Sequence, residues 1–251
     1  MAALVTQWRG WWALPTTPPD ATQRQVAALG AARRFTWLDG VMLGTIALSL
    51  SLDVIAAIMA AGWWTSAVIS LLMVSVFAGI ASLVPVVRPL LLRLMVIGFV
   101  GGVCELFTDA AGEALHSLAY PANEPMLWAS PLYMPLAWTV VLTQLGYLGW
   151  RFRARFAPGW AALFTGLCGA FHIPFAEEMA YHAGWWRYQP IHTLGHTPLY
   201  VVLFEGLIAA ALPLLLARVE GRTLGQVVVL GGIVGLWMPW AALCAWGLLG
   251  H

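Results

Sequence analysis

Lysine is absent from the sequence, and all twelve basic residues are arginine. Without a lysine amine nothing can hold retinal as a Schiff base, so a covalent retinal pigment is excluded. Charge is scarce as well: 9% of residues are charged and 61% hydrophobic, far from the composition of a water-soluble globular domain. No polar stretch is long enough for a second, water-soluble domain. The three cysteines, Cys104, Cys168 and Cys244, fall inside apolar stretches, which suits packing and offers no disulfide or metal framework. Residues 1–36 have no apolar run ahead of a small-residue cleavage site, but contain Pro15, Pro18, Pro19 and four arginines. They are expected to remain as a cytoplasmic or interfacial tail, with Trp8, Trp11 and Trp12 at the membrane interface.

What the sequence does have is apolar length. A span needs about 20 mostly apolar residues, because a helix rises about 1.5 Å per residue across a hydrocarbon core about 30 Å thick. Seven stretches qualify, at about 37–60, 63–86, 93–115, 131–151, 159–183, 198–217 and 223–249. The expected fold is therefore all-α, a polytopic membrane domain of seven transmembrane helices over 37–251. Eleven arginines (9, 24, 33, 34, 88, 93, 151, 153, 155, 218 and 222) fall on one side of this arrangement, and Arg187 alone on the other. The positive-inside rule makes the first side cytoplasmic, with the N-terminus inside and the C-terminus outside.

A spaced pattern occurs twice. Asp109 is followed eleven residues later by Tyr120 and then by Pro131-Leu132-Tyr133; Glu177 is followed eleven residues later by Tyr188 and then by Pro198-Leu199-Tyr200. Ser130 and Thr197 precede the prolines, which suits an N-cap followed by proline at the first helical position. Either these are two independently capped hairpins, or helices 3–4 and 5–6 are copies of one pair. As copies both would enter from the cytoplasm, facing related acids toward each other.

Carboxyl groups at membrane depth are costly, about 2.5–3.5 kcal/mol each on insertion scales, so they mark function. Glu105, Asp109 and Glu113 are spaced by four on helix 3, with His116 beyond; helix 5 carries His172, Glu177, Glu178 and His182 around Pro174; Glu205 lies on helix 6 and Asp53 on helix 1. Counting from the arginine-marked ends puts Glu105 and His172 near the midplane and Asp53, Asp109, Glu177 and Glu205 in the outer half. A cavity toward the non-cytoplasmic side is expected, capped by loops holding Trp128, Trp185, Trp186, Tyr188, His192 and His196. The expected acid and base groups are Glu105, Asp109, Glu177 and Glu205. Asp53, Tyr120, Tyr133, Trp138, His172, Trp185, Trp186, Tyr188, His196 and Tyr200 are the expected substrate contacts. Asp39, Glu113 and Glu178 also suit wet interfacial positions. Tryptophan and tyrosine around such a cavity suit an apolar substrate and a developing carbocation.

Residues 105–109, Tyr120, the Pro131-Leu132-Tyr133-Met134-Pro135-Leu136-Ala137-Trp138 run and Glu177-Glu178 with Ala183-Gly184-Trp185-Trp186-Arg187-Tyr188 resemble the membrane-bound carotenoid hydratases. More distantly they resemble the small membrane lycopene cyclases. The resemblance covers about 95–206; the hydratases' acidic run ending in Asp-Pro is missing, and Pro174-Phe175-Ala176-Glu177-Glu178 stands where the cyclases space Pro-x-Glu-Glu. It implies an enzyme that adds to or cyclises a carbon–carbon double bond of an isoprenoid or carotenoid-like lipid, with no cofactor and no nucleic-acid partner.

Three rival readings stand beside it. A metal-dependent lipid oxidase or desaturase is suggested by Glu113-x-x-His116 and by the spacing of four in Glu178/His182 and His192/His196. No second Glu-x-x-His exists, so no metal is expected. A transporter would use the acids as a proton path, and a membrane-complex subunit or oligomer could pair through Gly225, Gly231, Gly232 and Gly235 of helix 7. The arginine distribution predicts that reporters fused within 120–130 or at 251 read non-cytoplasmic and those at 88 and 153 cytoplasmic. A cytoplasmic reading at 251 would mean a different number of spans.

Overall fold

In the computed structural model the described residues are 35–250 other than 190 and 218, together with 21, 24–26 and 28. The expected interfacial placement of Trp8, Trp11 and Trp12, and the sidedness of Arg9, Arg33, Arg34 and Arg218, lie outside the described residues. From Trp37 onward, seven α-helices follow one another among the described residues: α1 Trp37–Ile58, α2 Trp64–Leu83, α3 Arg88–Ala114, α4 Met134–Arg153, α5 Pro158–Ala183, α6 Leu199–Leu215 and α7 Leu224–Leu249. Thus the chain is an all-α polytopic membrane protein. By length and composition, α1, α2, α3, α5 and α7 can each cross a membrane, while α6 is a shorter apolar helix.

Local chemistry sets the helix ends. Capping boxes open α1, where Thr36 and Asp39 satisfy each other's backbone N–H groups, and α7, where Thr223 and Gln226 do the same. Pro89 sits in the first turn of α3, so that helix begins at Arg88 rather than at 93. The α4 sequence is the least apolar of the longer helices because it is enclosed by its neighbours: Thr139, Thr143, Gln144, Tyr147 and Arg151 are all buried. They meet protein rather than lipid.

The α3/α4 and α5/α6 pairs approach closely at glycine. A Cβ on Gly102 would lie 2.8 Å from the Trp138 Cβ, and one on Gly169 would lie 2.9 Å from the Glu205 carbonyl oxygen. On α7 the expected partner surface divides. Gly231 and Gly235 are buried against Val100 and Cys104 of α3, whereas Gly225 and Gly232 have open space beside them. The first two are therefore internal contacts.

The two helix pairs share a backbone plan down to single hydrogen bonds. After α3, His116 takes φ 54°, and Ser117 N–H donates to the Gly112 carbonyl; after α5, Gly184 takes φ 75°, and Trp185 N–H donates to the Ala180 carbonyl. Next, β1 (Leu118–Ala119) pairs antiparallel with β4 (Arg187–Tyr188). Hairpins follow in both copies, β2 (Met126–Leu127) with β3 (Ser130–Pro131) and β5 (Thr193–Leu194) with β6 (Thr197–Pro198). Their turns are left-handed at matching places, Trp128 (φ 60°) and Gly195 (φ 62°). Leu132 N–H donates to the Pro125 carbonyl and Leu199 N–H to the His192 carbonyl. Ala119 faces Arg187 across the β1–β4 pair, and these residues occupy the same place in their copies. Equivalent residues meeting in an antiparallel pair mark a two-fold axis between the copies.

The expected N-caps are not formed. α4 starts at Met134 and α6 at Leu199, beyond each hairpin, without side-chain caps. Ser130 instead donates to Asp109 and Thr197 to the Pro174 carbonyl, so both hydroxyls tie the hairpins to the helices before them. Helix α5 runs through Pro174 without a break.

At the arginine-rich end Asp39 is buried, not wet. It accepts from Arg151 Nε at 2.7 Å, Arg151 Nη2 at 2.9 Å and the Tyr147 hydroxyl at 2.7 Å, joining α1 to α4. Removing one partner of a buried pair leaves the other charge uncompensated, at about 3–5 kcal/mol. Asp39→Asn is therefore expected to lower the thermal midpoint in detergent substantially. An unchanged midpoint would show that this pair does not hold α1 in place.

Candidate functional site

Beneath the loop cap is a cavity of about 150 Å³ between α3, α6 and α7. Glu105, Thr108 and Asp109 line it from α3, Ser117, Leu118 and Tyr188 from the loops, Tyr200 and Phe204 from α6, and Pro239 and Trp246 from α7. The wall is mostly apolar and aromatic. Ala111 and Leu115 on one side and Leu243 on the other belong to the lining and also lie exposed on the outer surface. They bring the edge of the lining to the protein surface between α3 and α7.

Asp109 is the best-held carboxyl. Its Oδ2 accepts from the Tyr120 hydroxyl at 2.7 Å and from Ser130 Oγ, and Glu105 is hydrogen-bonded to it one turn away. Burial pushes the Tyr120 phenol well above its ordinary range, so Tyr120 serves as a donor. Both donors hold the Asp109 carboxyl in place. A hydrogen bond between two carboxyl groups needs a proton on one of them. Glu105 is buried, and neither its Oε2 nor the nearby Thr108 hydroxyl has a hydrogen-bond partner among the described residues.

Glu177 is the counterpart of Asp109 in the second copy. Trp186 Nε1 donates to its Oε2 at 2.5 Å, and the Tyr188 hydroxyl also bonds it. Burial likewise raises the Tyr188 phenol, which thus donates as Tyr120 does. Glu205 is buried on α6 close to Glu177 and Glu105, with its Oε2 unpartnered among the described residues. The structure thus brings Glu105, Asp109, Glu177 and Glu205 into one electrostatic cluster, of which only Glu105 and Asp109 reach the cavity wall.

Of the expected substrate contacts, Tyr188 and Tyr200 line the cavity, and Tyr120 and Trp186 stand behind it as donors to the acids. The others lie elsewhere. Asp53 is buried on α1, outside the lining; His172 on α5 has both ring nitrogens buried without partners among the described residues. Trp138 packs against Gly102, Trp185 Nε1 donates to the Thr65 hydroxyl at 2.8 Å, and Tyr133 neighbours Glu124. His196 joins Glu178 and His182 in a separate cluster, while Glu113 and His116 are exposed at the end of α3.

Sequence reasoning missed Ser130, Thr108, Trp246 and Glu124. For Ser130 a signal existed, since it and Thr197 hold one place in the repeat. Trp246 belongs to neither repeat copy, and it stacks edge-on with Tyr200 at 4.9 Å in the cavity wall. Glu124, in the loop between β1 and β2, is buried beside the Tyr133 hydroxyl.

A protein-family model described as a domain of unknown function, DUF6989, matches residues 106–249. No curated protein and no solved structure matches the chain.

Glu124 supplies a pH test of the loop cap. Burial pushes its carboxyl up from 4.5 to about 7. Ionising it costs more in the folded than in the unfolded chain. Its effect on stability is thus nil below the unfolded value, becomes unfavourable as pH rises, and is complete above about 7. Thermal midpoints measured at about pH 5 and about pH 8 should differ less in Glu124→Gln than in the wild type. An equal difference in both would remove Glu124 as a source of pH dependence.

Proposed function

The chain belongs to the DUF6989 family, and we propose that it is an integral membrane enzyme that protonates a carbon–carbon double bond of an isoprenoid or carotenoid-like lipid. Hydration or cyclisation then follows. The observation that carries this reading is the Glu105–Asp109 pair in the wall of a mostly apolar cavity whose lining reaches the surface between α3 and α7. Its proposed orientation has the arginine-rich ends in the cytoplasm and the cavity in the outer half of the membrane.

The chemistry starts with a lipid chain entering between α3 and α7 and laying a double bond against Glu105. The Glu105 proton passes to one alkene carbon, the π electrons form the new C–H bond, and the other carbon becomes a cation. Asp109 stays charged, held by Tyr120 and Ser130, and offsets the positive charge. The rings of Tyr200 and Trp246 present π density to it. Attack by water, or by a second double bond followed by loss of a proton, quenches the cation and returns a proton to Glu105. No electron donor or acceptor is consumed.

Substituting Glu105→Gln or Asp109→Asn keeps the shape while removing proton transfer, and each is expected to cost about 100-fold or more in turnover. Glu113→Gln, at an exposed position, is expected to be nearly silent. The assay is an untargeted comparison of pigments and polyprenyl lipids from cells carrying the wild type, each variant or no copy of the gene. Cells with Glu105→Gln should match those lacking the gene. A Glu105→Gln profile identical to wild type, with the protein folded in membranes, would contradict the proposal.

A further inference from the structure

A second cluster lies near the end of α5, outside the cavity lining and independent of the chemistry proposed there. Glu178 and His182 are one turn apart on α5, and His196 reaches them from the β5–β6 hairpin. His182 Nε2 lies 3.2 Å and His196 Nδ1 2.8 Å from the same oxygen, Glu178 Oε1. One donor atom from each of the three side chains falls within 4.8 Å of the others. We propose that Glu178, His182 and His196 bind one divalent transition-metal ion, zinc by ligand type, which clamps the hairpin to α5.

The spacing suits the ion. Tetrahedral zinc holds nitrogen and oxygen at about 2.0–2.1 Å, which separates neighbouring ligand atoms by about 3.3 Å. The observed 2.8 and 3.2 Å need only small side-chain shifts. Two imidazoles and a carboxylate make a three-ligand zinc set, and its fourth position faces water because all three groups are partly or largely exposed. His196 is further fixed in place: its ring stacks on Tyr181 at 3.5 Å, and its backbone N–H donates to Glu178 Oε2 at 2.8 Å. Gly195 permits this, since a Cβ there would come within 2.5 Å of Glu178 Oε2.

The repeat supplies the second argument. In the first copy the places of Glu178, His182 and His196 are held by Ala110, Ala114 and Ala129. That copy builds the same hairpin, the same left-handed turn and the same backbone hydrogen bond into its following helix. The backbone plan therefore does not need the three polar groups. They are additions to the frame, converging on one point.

The test uses the full chain purified without a histidine tag, stripped with a chelator and titrated with Zn²⁺ by calorimetry and with Co²⁺ by visible absorption. One equivalent should bind, with the cobalt spectrum of a four-coordinate site and a raised thermal midpoint. Binding should weaken at least about 10-fold in His182→Ala and in His196→Ala and be unchanged in His116→Ala. The Glu178→Gln/His182→Ala/His196→Ala variant, which approaches the first copy's sequence, is the reference for a folded chain without the site. Wild-type binding no tighter than that reference, or binding that survives both single histidine substitutions, would overturn the proposal.

Discussion

A carboxyl group buried among membrane helices has no bulk water to solvate it, so each acid must find its hydrogen bonds within the protein. Asp109 finds three, from Tyr120, Ser130 and Glu105, and much of the loop cap is arranged to supply them. The Tyr120 donor follows strand β1, and Ser130 opens β3, so the hairpin that might have capped α4 is folded back onto α3. Beside it Glu105 keeps an Oε2 with no hydrogen-bond partner among the described residues. An unpartnered polar atom in a low-dielectric wall is expensive, and such atoms persist mainly where a ligand or reaction uses them.

The two-fold arrangement explains both the closeness of the acids and their inequality. Asp109 and Glu177 are equivalent, as are their donors Tyr120 and Tyr188, and the β1–β4 pair draws the two copies together at the axis. Yet the place of Glu105 is taken by Ile173 in the second copy, so only the first has a second carboxyl one turn deeper. The third helix on the cavity, α7, lies outside the repeat and supplies Pro239 and Trp246. Conversely, only the second copy carries Glu178, His182 and His196. A duplicated frame has been given a different polar cluster in each half.

The spans were legible because apolar runs near 20 residues leave little choice of fold, and the repeat was legible from the recurrence of acid, tyrosine and proline. The four clustered acids were legible for the same reason: carboxyls are rare enough at membrane depth to stand out. Direction was not. Asp53 and His172 have the depth of site residues, but they sit on α1 and α5 outside the cavity lining. Ser130 reads equally well as a helix cap until the β2–β3 hairpin places it over Asp109. The pairing of Arg151 with Asp39 joins residues far apart in sequence, and no local pattern announces it.

Transfer of a solvent-derived proton to lipid carbon is the claim on which this account stands. Membranes containing the chain, incubated with a total lipid extract in deuterated water, allow that transfer to be read by mass spectrometry. A polyprenyl-type product carrying a carbon-bound deuteron that survives return to ordinary water is expected with the wild type and not with Glu105→Gln. A product formed without carbon-bound deuterium, or a lipid pool left unchanged by the wild-type chain, would contradict it.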